Sequence, residues 1–256
     1  MESIYDKIAE VLKLDQKTSL CTIVSTKGST PLKAGAKMIV WENGKIFGTV
    51  GGGNLEKETI ADALEVLKSS QARLFKHELK FQHQMCCGGS LEIFIEPIMQ
   101  KKRLYIFGAG HIGKAVAKHA QDLDFEIFVF DDRKEIFLDW PPEGYNKMCL
   151  PFMETLAALP SNDSTFIIIA TYDHDKDREI LAHCINKPHA YLGMIGSKNK
   201  IAVTRERFIK AGIASADLLE TVDMPIGMEI NAETPDEIAV SIVARLIQEK
   251  NRDKND

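Results

Sequence analysis

Apolar positions along the chain change period many times, and each change marks an element. Ile4, Ile8, Val11 and Leu12 recur at helical spacing and predict an opening amphipathic helix. Leu20 to Ser25 reads as a strand. Lys37 to Trp41 and Ile46 to Val50 read as a hairpin turned by Asn43-Gly44, the strongest short hairpin signal. Leu55, Ile60, Ala63, Leu64 and Leu67 then carry a helix, and Ala72 to Leu79 predicts a strand. Phe81 to Met85 leads in to Cys86-Cys87-Gly88-Gly89, after which Leu91, Ile93 and Ile95 alternate with Glu92, Phe94 and Glu96 as a further strand.

From Pro97 to Lys102 the composition shifts, and a domain boundary is placed there, giving residues 1–99 and 100–256. A short apolar run, Leu104 to Phe107, meets glycines at 108, 110 and 113, and Ile112, Ala115, Val116, Ala120 and Leu123 continue as a helix. Glu126 to Phe130 predicts a second strand, and Met153 to Leu159 a short helix. Thr165 to Ala170 is a nearly unbroken apolar run, as a buried parallel strand should be. Ala190 to Ile195 is another strand. It is followed by a helix from about Ile201 to Ala211, with Ser197 as its N-cap and Lys198 in its first turn. Residues 222–234 read as a loop. Thr234-Pro235-Asp236-Glu237 opens the last helix with an N-cap, proline at N1 and a capping-box glutamate, and the tail from Glu249 should fray. The fold class expected is α/β: an N-terminal α+β domain followed by a C-terminal Rossmann-like, doubly wound parallel sheet.

Strand, Gly-x-Gly-x-x-Gly turn and helix are the context a dinucleotide fingerprint requires. Gly108 permits the tight turn, Gly110 lets backbone approach a phosphate, and Gly113 lets the helix pack on the strand. The helix N-terminus offers free amides to an anion. Asp131, 23 residues after Gly108, stands near the place of a ribose-binding carboxylate, and Arg133 beside it leaves NAD against NADP open. The same glycines also serve in Rossmann-like domains where they are purely structural.

Other stretches carry candidate chemistry. Ser25 to Lys37 is rich in Gly, Ser, Thr and Lys. It either presents hydroxyls and amides to an anion or is a solvated connection. Gly51-Gly52-Gly53 feeds a helix N-terminus, a second anion cradle or a steric necessity. Cys86 and Cys87 before two glycines suit an exposed thiolate, a nucleophile or soft metal ligand, or else two small half-buried side chains. Cys21, Cys149 and Cys184 are scattered and read as structural. His174, flanked by Asp173 and Asp175, reads as a base or metal ligand, or as part of a helix start capped by Asp175.

Composition narrows the classes. The 256 residues are 45% hydrophobic and 27% charged, ordinary for a soluble globular protein with one or two domains. A net charge of −5 argues against nucleic-acid binding. No apolar run approaches the ~18–20 residues of a membrane span, and the N-terminus lacks a secretory apolar region. Five cysteines form no disulfide framework. The cytoplasm is the expected compartment.

Taken together the motifs form a set. Gly28-Ser29-Thr30-Pro31 with Gly35-Ala36, then Gly48 to Gly53 with Leu55-Glu56, then Cys87-Gly88-Gly89, resemble the N-terminal domain of the XdhC/CoxI family. Phe107 to Gly113, Asp131-Asp132-Arg133, Tyr191 to Ser197, Pro225-Ile226-Gly227 and Thr234 to Ala239 resemble its C-terminal Rossmann domain. The resemblance covers nearly the whole chain in order. Asn231 departs from it, standing where the family's pattern has glycine, which bears on close backbone approach at that point.

The resemblance implies a maturation factor for molybdenum hydroxylases such as xanthine dehydrogenase, in purine catabolism. Such proteins bind the molybdenum cofactor (molybdopterin), support its sulfuration with a cysteine desulfurase, and assist its insertion into the apo-enzyme. They are accessory proteins more than catalysts, and a homodimer is implied. On this reading the cofactor-binding set is Ser29, Thr30, Gly51, Gly52, Gly53, Cys86, Cys87, Gly108, Gly110, Gly113, Asp131, His174 and Ser197. Cys87 is the metal contact, and the cleft between the domains is the expected site. The alternative is an NAD(P)-dependent oxidoreductase using His174 or His111 in proton transfer. A third reading is a scaffold that only bridges hydroxylase and desulfurase.

Overall fold

The structure, a computed structural model, describes residues 3–13, 16–79, 88–98 and 101–252. The chain divides into two compact units, Met1–Gln100 and Lys101–Asp256. The first contains α1 (Ile4–Lys13), β1 (Thr18–Lys27), β2 (Lys37–Trp41), β3 (Ile46–Gly48), α2 (Gly53–Ser69), β4 (Arg73–Glu78) and β5 (Ser90–Ile98). Its sheet runs β3-β2-β1-β5-β4, antiparallel at every pairing. α2 lays Leu55, Ala63 and Val66 onto Cys21, Ile23, Met38, Val40, Ile93 and Ile95 in one core. β1 is longer than its apolar pattern predicts. The ladder with β5 carries it to Lys27 opposite Ser90, through polar residues held by backbone bonds and not by burial.

The second unit contains β6 (Lys102–Phe107), α3 (His111–Ala120), β7 (Phe125–Phe130), a 3₁₀ turn (Lys134–Phe137), β8 (Asn146–Met148) and α4 (Phe152–Ala158). It continues with β9 (Phe166–Ile169), α5 (His174–Cys184), β10 (Tyr191–Met194), α6 (Lys198–Lys210), α7 (Ala216–Glu220) and α8 (Pro235–Lys250). Its sheet runs β10-β9-β6-β7-β8, and every pairing is parallel. Successive strand side chains point to opposite faces. Leu104, Ile106, Val129 and Ile168 therefore meet Val116 and Ala120 of α3 and Ile242 and Leu246 of α8 on one face. Tyr105, Phe107, Phe130 and Ile167 meet Phe152, Ile180, Leu181 and Phe208 on the other. With both faces covered the strands need no polar side, so β9 is buried at all four positions. The expected mixed fold, an antiparallel α+β unit and then a doubly wound Rossmann unit, is the fold observed.

Local chemistry sets the helix starts. Ser197 caps α6 by accepting from Lys200 N at 3.3 Å. Thr234 and Glu237 close the predicted capping box: Thr234 Oγ1 accepts from Glu237 N at 3.3 Å, and Glu237 Oε2 accepts from Thr234 N at 2.9 Å. The cap of α5 is Asp173 rather than the expected Asp175. The helix begins at His174, so Asp175 falls inside the first turn, and its own amide donates to Asp173 Oδ1 at 2.7 Å. Asn231 has φ +56°, the left-handed region that asparagine tolerates better than most side chains. It keeps the backbone conformation for which glycine is the usual choice.

The turn after β6 is the tightest point of the second unit. A Cβ on Gly108, where φ is +111°, would lie 2.1 Å from the Ala170 carbonyl oxygen at the end of β9. A Cβ on Gly113 would lie 1.9 Å from the Gly108 carbonyl oxygen. Gly110 differs: its φ is −69°, and a Cβ there would meet nothing within 4 Å.

These arrangements make two predictions. Gly113→Ala should lower stability by about 3 kcal/mol, the upper range for overpacking against backbone. Gly110→Ala should cost no more than about 1 kcal/mol, the preference of an N-cap for glycine over alanine. Urea unfolding of the two variants checks the contrast, and equal losses would contradict the packing assigned to Gly113. At the last helix, Thr234→Ala should cost about 1 kcal/mol. Backbone amides of Thr234 and Glu233 hold the Glu237 carboxyl below its ordinary value of 4.5. That contribution is whole above pH 4.5 and lost as pH falls through the depressed native value. The stability deficit of Glu237→Gln should therefore shrink toward zero in acid, measured as unfolding midpoints at a series of pH values.

Candidate functional site

Three glycine-containing loops of the first unit meet at one end of its sheet. They leave the end of β1, the end of β3 and the start of β5, which the antiparallel order brings to the same edge. A Cβ on Gly51 would lie 2.7 Å from Pro31 Cβ, and a Cβ on Gly89 would lie 2.4 Å from the Ser29 carbonyl oxygen. The Gly28–Pro31 loop is thus wedged between the triple glycine and the Gly88-Gly89 turn. Ser29 is exposed. Thr30 is half-buried and donates its hydroxyl to the Leu32 carbonyl at 3.0 Å. Gly52 and Gly53 have φ +81° and +65°, and a side chain at either would meet nothing within 4 Å. Their bare backbone faces open space.

The triple glycine already holds an anion of the protein's own. Gly52 N donates to Glu56 Oε1 at 3.0 Å, and Gly51 N donates to Thr49 Oγ1 at 3.0 Å. The Thr49 hydroxyl in turn donates to Glu56 Oε1. A carboxylate in the first turn of α2 thereby meets one amide, one hydroxyl and the positive end of the helix dipole. Cys86 and Cys87, the thiol candidates, lie outside the described residues, immediately before Gly88 in the chain.

In the second unit the sequence-predicted residues gather beyond the carboxyl ends of the parallel strands, where open α/β sheets bind ligands. Gly108 follows β6, Asp131 follows β7, His174 follows β9 and Ser197 follows β10. The glycine turn is pinned from two sides. Ala109 N donates to Asp131 Oδ2 at 2.8 Å, and Trp140 Nε1 donates to the Ala109 carbonyl at 3.1 Å. Among the described residues no side chain caps the first turn of α3.

Asp131 is wholly buried, at 0% exposure. Its Oδ1 accepts from Arg133 N at 3.1 Å and Arg133 Nε at 2.8 Å, and its Oδ2 from Arg133 Nη2 at 2.9 Å besides Ala109 N. The Arg133 guanidinium lies over the Tyr172 ring, 4.0 Å from its centroid. The hydrogen bond to Asp131 raises its already high pKa. Tyr172 Oη donates to Asp132 at 3.1 Å, and Lys176 Nζ donates to the same carboxylate. Against a burial that pushes it up, these donors hold the Asp132 carboxyl below its ordinary value.

His174 is 73% exposed at its side chain, with Nδ1 3.9 Å from Asp177 Oδ2. The group that Asp177 does hold is Lys200. Their side chains are 8% and 0% exposed for Lys200 and Asp177, the ammonium donates to Asp177 Oδ2 at 2.6 Å, and Thr171 donates to Oδ1 through its amide at 2.9 Å and its hydroxyl at 2.7 Å. Sequence reasoning missed this pair, although a signal was present. Asp177 stands on the same helical stripe as Ile180, Leu181 and Cys184, and Lys200 on that of Thr204 and Phe208, so each charge falls at a core-facing position.

Cys21 and Cys184 are buried and their thiols are pushed up to about 12 by desolvation, as structural cysteines should be. Cys149, also expected to be structural, is exposed in the loop after β8, which three residues of strand do not cover. Among the described residues no group of three or more His, Cys, Asp and Glu is arranged to hold a metal ion, and no helix is long and apolar enough to cross a membrane.

Comparison with known proteins places these features in a lineage. The chain is 33% identical over 251 residues to the uncharacterized protein YqeB of Escherichia coli K12, covering 94% of this chain and 46% of that protein. It is 29% identical over 169 residues to a probable xanthine dehydrogenase subunit of Bacillus subtilis 168, covering 62% and 46% respectively. It is 25% identical over 145 residues to the molybdenum cofactor insertion chaperone PaoD of Escherichia coli K12, covering 56% and 40%. The chain thus spans about half the length, or less, of each of these relatives. The crystal structure of a xanthine dehydrogenase from Bacillus halodurans shares the fold, with a TM-score of 0.53 at 22% identity over 98% of this chain and 96% of that one. Residues 11–78 match the XdhC and CoxI family, and residues 104–246 match the XdhC Rossmann domain. With more than half of its length matched in this way, the chain belongs to the XdhC and CoxI family.

Proposed function

We propose that this protein binds the molybdenum cofactor and delivers it to a molybdenum hydroxylase of the xanthine dehydrogenase type. The observation that carries the reading is the convergence of the three loops of the first unit, Gly28–Pro31, Gly51–Gly53 and Gly88-Gly89, where bare backbone and an exposed hydroxyl share one edge. Two relatives support it, one named as an insertion chaperone and the other as part of a probable xanthine dehydrogenase.

The donor set suits the cargo. A pterin phosphate is recognised by amides at bare glycine backbone, here Gly53 and, in exchange for Glu56, Gly52 of the first unit, and by hydroxyls such as that of Ser29. The metal end takes a soft thiolate, for which Cys87 is the assigned residue and Cys86 its neighbour. The second unit has polar groups of its own at its strand ends, Gly110, Ser197 and the exposed His174. The protein acts as a carrier and not as a catalyst. It works in the cytoplasm as a homodimer, and it supports sulfuration of the cargo by a cysteine desulfurase before handing it on.

The test is retention. After incubation with molybdenum cofactor and gel filtration, wild-type protein should hold stoichiometric molybdopterin by mass spectrometry and molybdenum by metal analysis. Cys87→Ala should lower the retained molybdenum on the order of tenfold, about 1.4 kcal/mol of binding, and should fail to activate the apo-hydroxylase. Absence of molybdopterin from the wild type, or a Cys87→Ala protein that retains and delivers it equally, would overturn the assignment.

A further inference from the structure

The second unit has the glycine turn, the strand order and the strand-end acid of a dinucleotide-binding domain. Yet the acid is not available to a ribose. A carboxylate offers about four lone-pair sites. In Asp131 they face four donors: Ala109 N, Arg133 N, Arg133 Nε and Arg133 Nη2. An adenosine ribose presents two hydroxyls that must donate to such a carboxylate. Here they would have to break a paired, bidentate guanidinium contact at a wholly buried group, and charge-assisted contacts of this kind are among the strongest hydrogen bonds in proteins.

The guanidinium is itself held from the far side. It stacks on Tyr172 at 4.0 Å, and Tyr172 is fixed by its hydroxyl on Asp132. Lys176 closes the same group, donating to Asp132 and lying 4.7 Å from the Tyr172 ring centroid. The loops after β7 and β9 are thus tied together across the edge at which a dinucleotide's adenosine half enters. The phosphate position is untouched. Gly110 faces open space, and α3 carries no side-chain cap among the described residues.

We propose that Arg133 is a specificity-determining residue that fills the ribose-diol position of the Rossmann unit. The unit refuses NAD-type dinucleotides, and any ligand at this turn is recognised through its phosphate. Asp131 serves as an internal clamp that joins the glycine turn to Arg133. This inference stands apart from the chaperone reading, because it concerns nicotinamide binding by the second unit and not retention of molybdopterin.

The experiment is a fluorescence titration of the full chain with NADH. Wild-type protein should show no saturable binding up to about 1 mM, the weak end of specific affinities. Arg133→Ala removes the two guanidinium contacts, one from each oxygen of Asp131, and should bind NADH at least tenfold more tightly. Adding Asp131→Asn to that variant should abolish the gain, which shows that the gain runs through the carboxylate. Should Arg133→Ala fail to fold, judged by circular dichroism and melting, Arg133→Leu keeps an apolar contact for Tyr172, offers Asp131 no side-chain donor and serves in the same comparison. Saturable micromolar NADH binding by the wild type overturns the inference. So does a folded Arg133 variant that binds NADH no better, or a gain that survives loss of the Asp131 charge. Loss of molybdopterin retention would bear on the chaperone reading alone.

Discussion

The second unit depends on one close approach, the seating of α3 against the turn that ends β6. With Gly113 directly over the Gly108 carbonyl, the helix axis comes nearer to the sheet than any side chain would permit. That proximity puts Val116 and Ala120 onto Leu104 and Ile106, and gives α8 a flat partner to pack against. It also aims the uncapped helix N-terminus at the space above Gly110. Packing and ligand geometry are therefore set by the same atoms, so the glycines at 108 and 113 are required by the protein itself whatever it binds. Only Gly110 has no internal reason to lack a side chain.

The first unit reaches a comparable result by other means. Its sheet is antiparallel, so loops from three different strands return to one edge without any helix crossover. Steric need explains Gly51 and Gly89, which carry neighbouring backbone or proline where a Cβ would be. Gly52 and Gly53 have no such neighbours, and a side chain at either would stand in open space. The two units thus use glycine for the same pair of purposes, tight contact at some positions and open approach at others.

Much of this was legible in the amino-acid sequence because the signals were local. The period changes located most of the long elements, the capping box at Thr234 and the cap at Ser197 stand as read, and the ordered set of loop motifs pointed to the family. What was not legible depended on tertiary contacts. The three-residue β8 and five-residue α7 have too few positions to show a period. The extension of β1 to Lys27 is dictated by its partner strand. Asp131 carries the right residue type at the right spacing for a ribose acid, but spacing does not tell whether the arginine two residues on turns back to occupy it. The cap of α5 shifted by two residues because three acidic residues in a row of five, Asp173, Asp175 and Asp177, offer the same local chemistry. Only the fold decides between them.

The carboxylate of Glu56 on the Gly52 amide gives the first unit an internal counter-ligand. An amide that loses its acceptor in a half-buried turn is costly to leave bare. With Glu56 four residues away, any anion that takes the Gly52 amide has to displace this side chain, and its departure lets the side chain return. Exchange of such an anion is then a substitution in which the Gly52 amide keeps a partner. The tightness of holding is set by the difference between two anions, and not by the full strength of either.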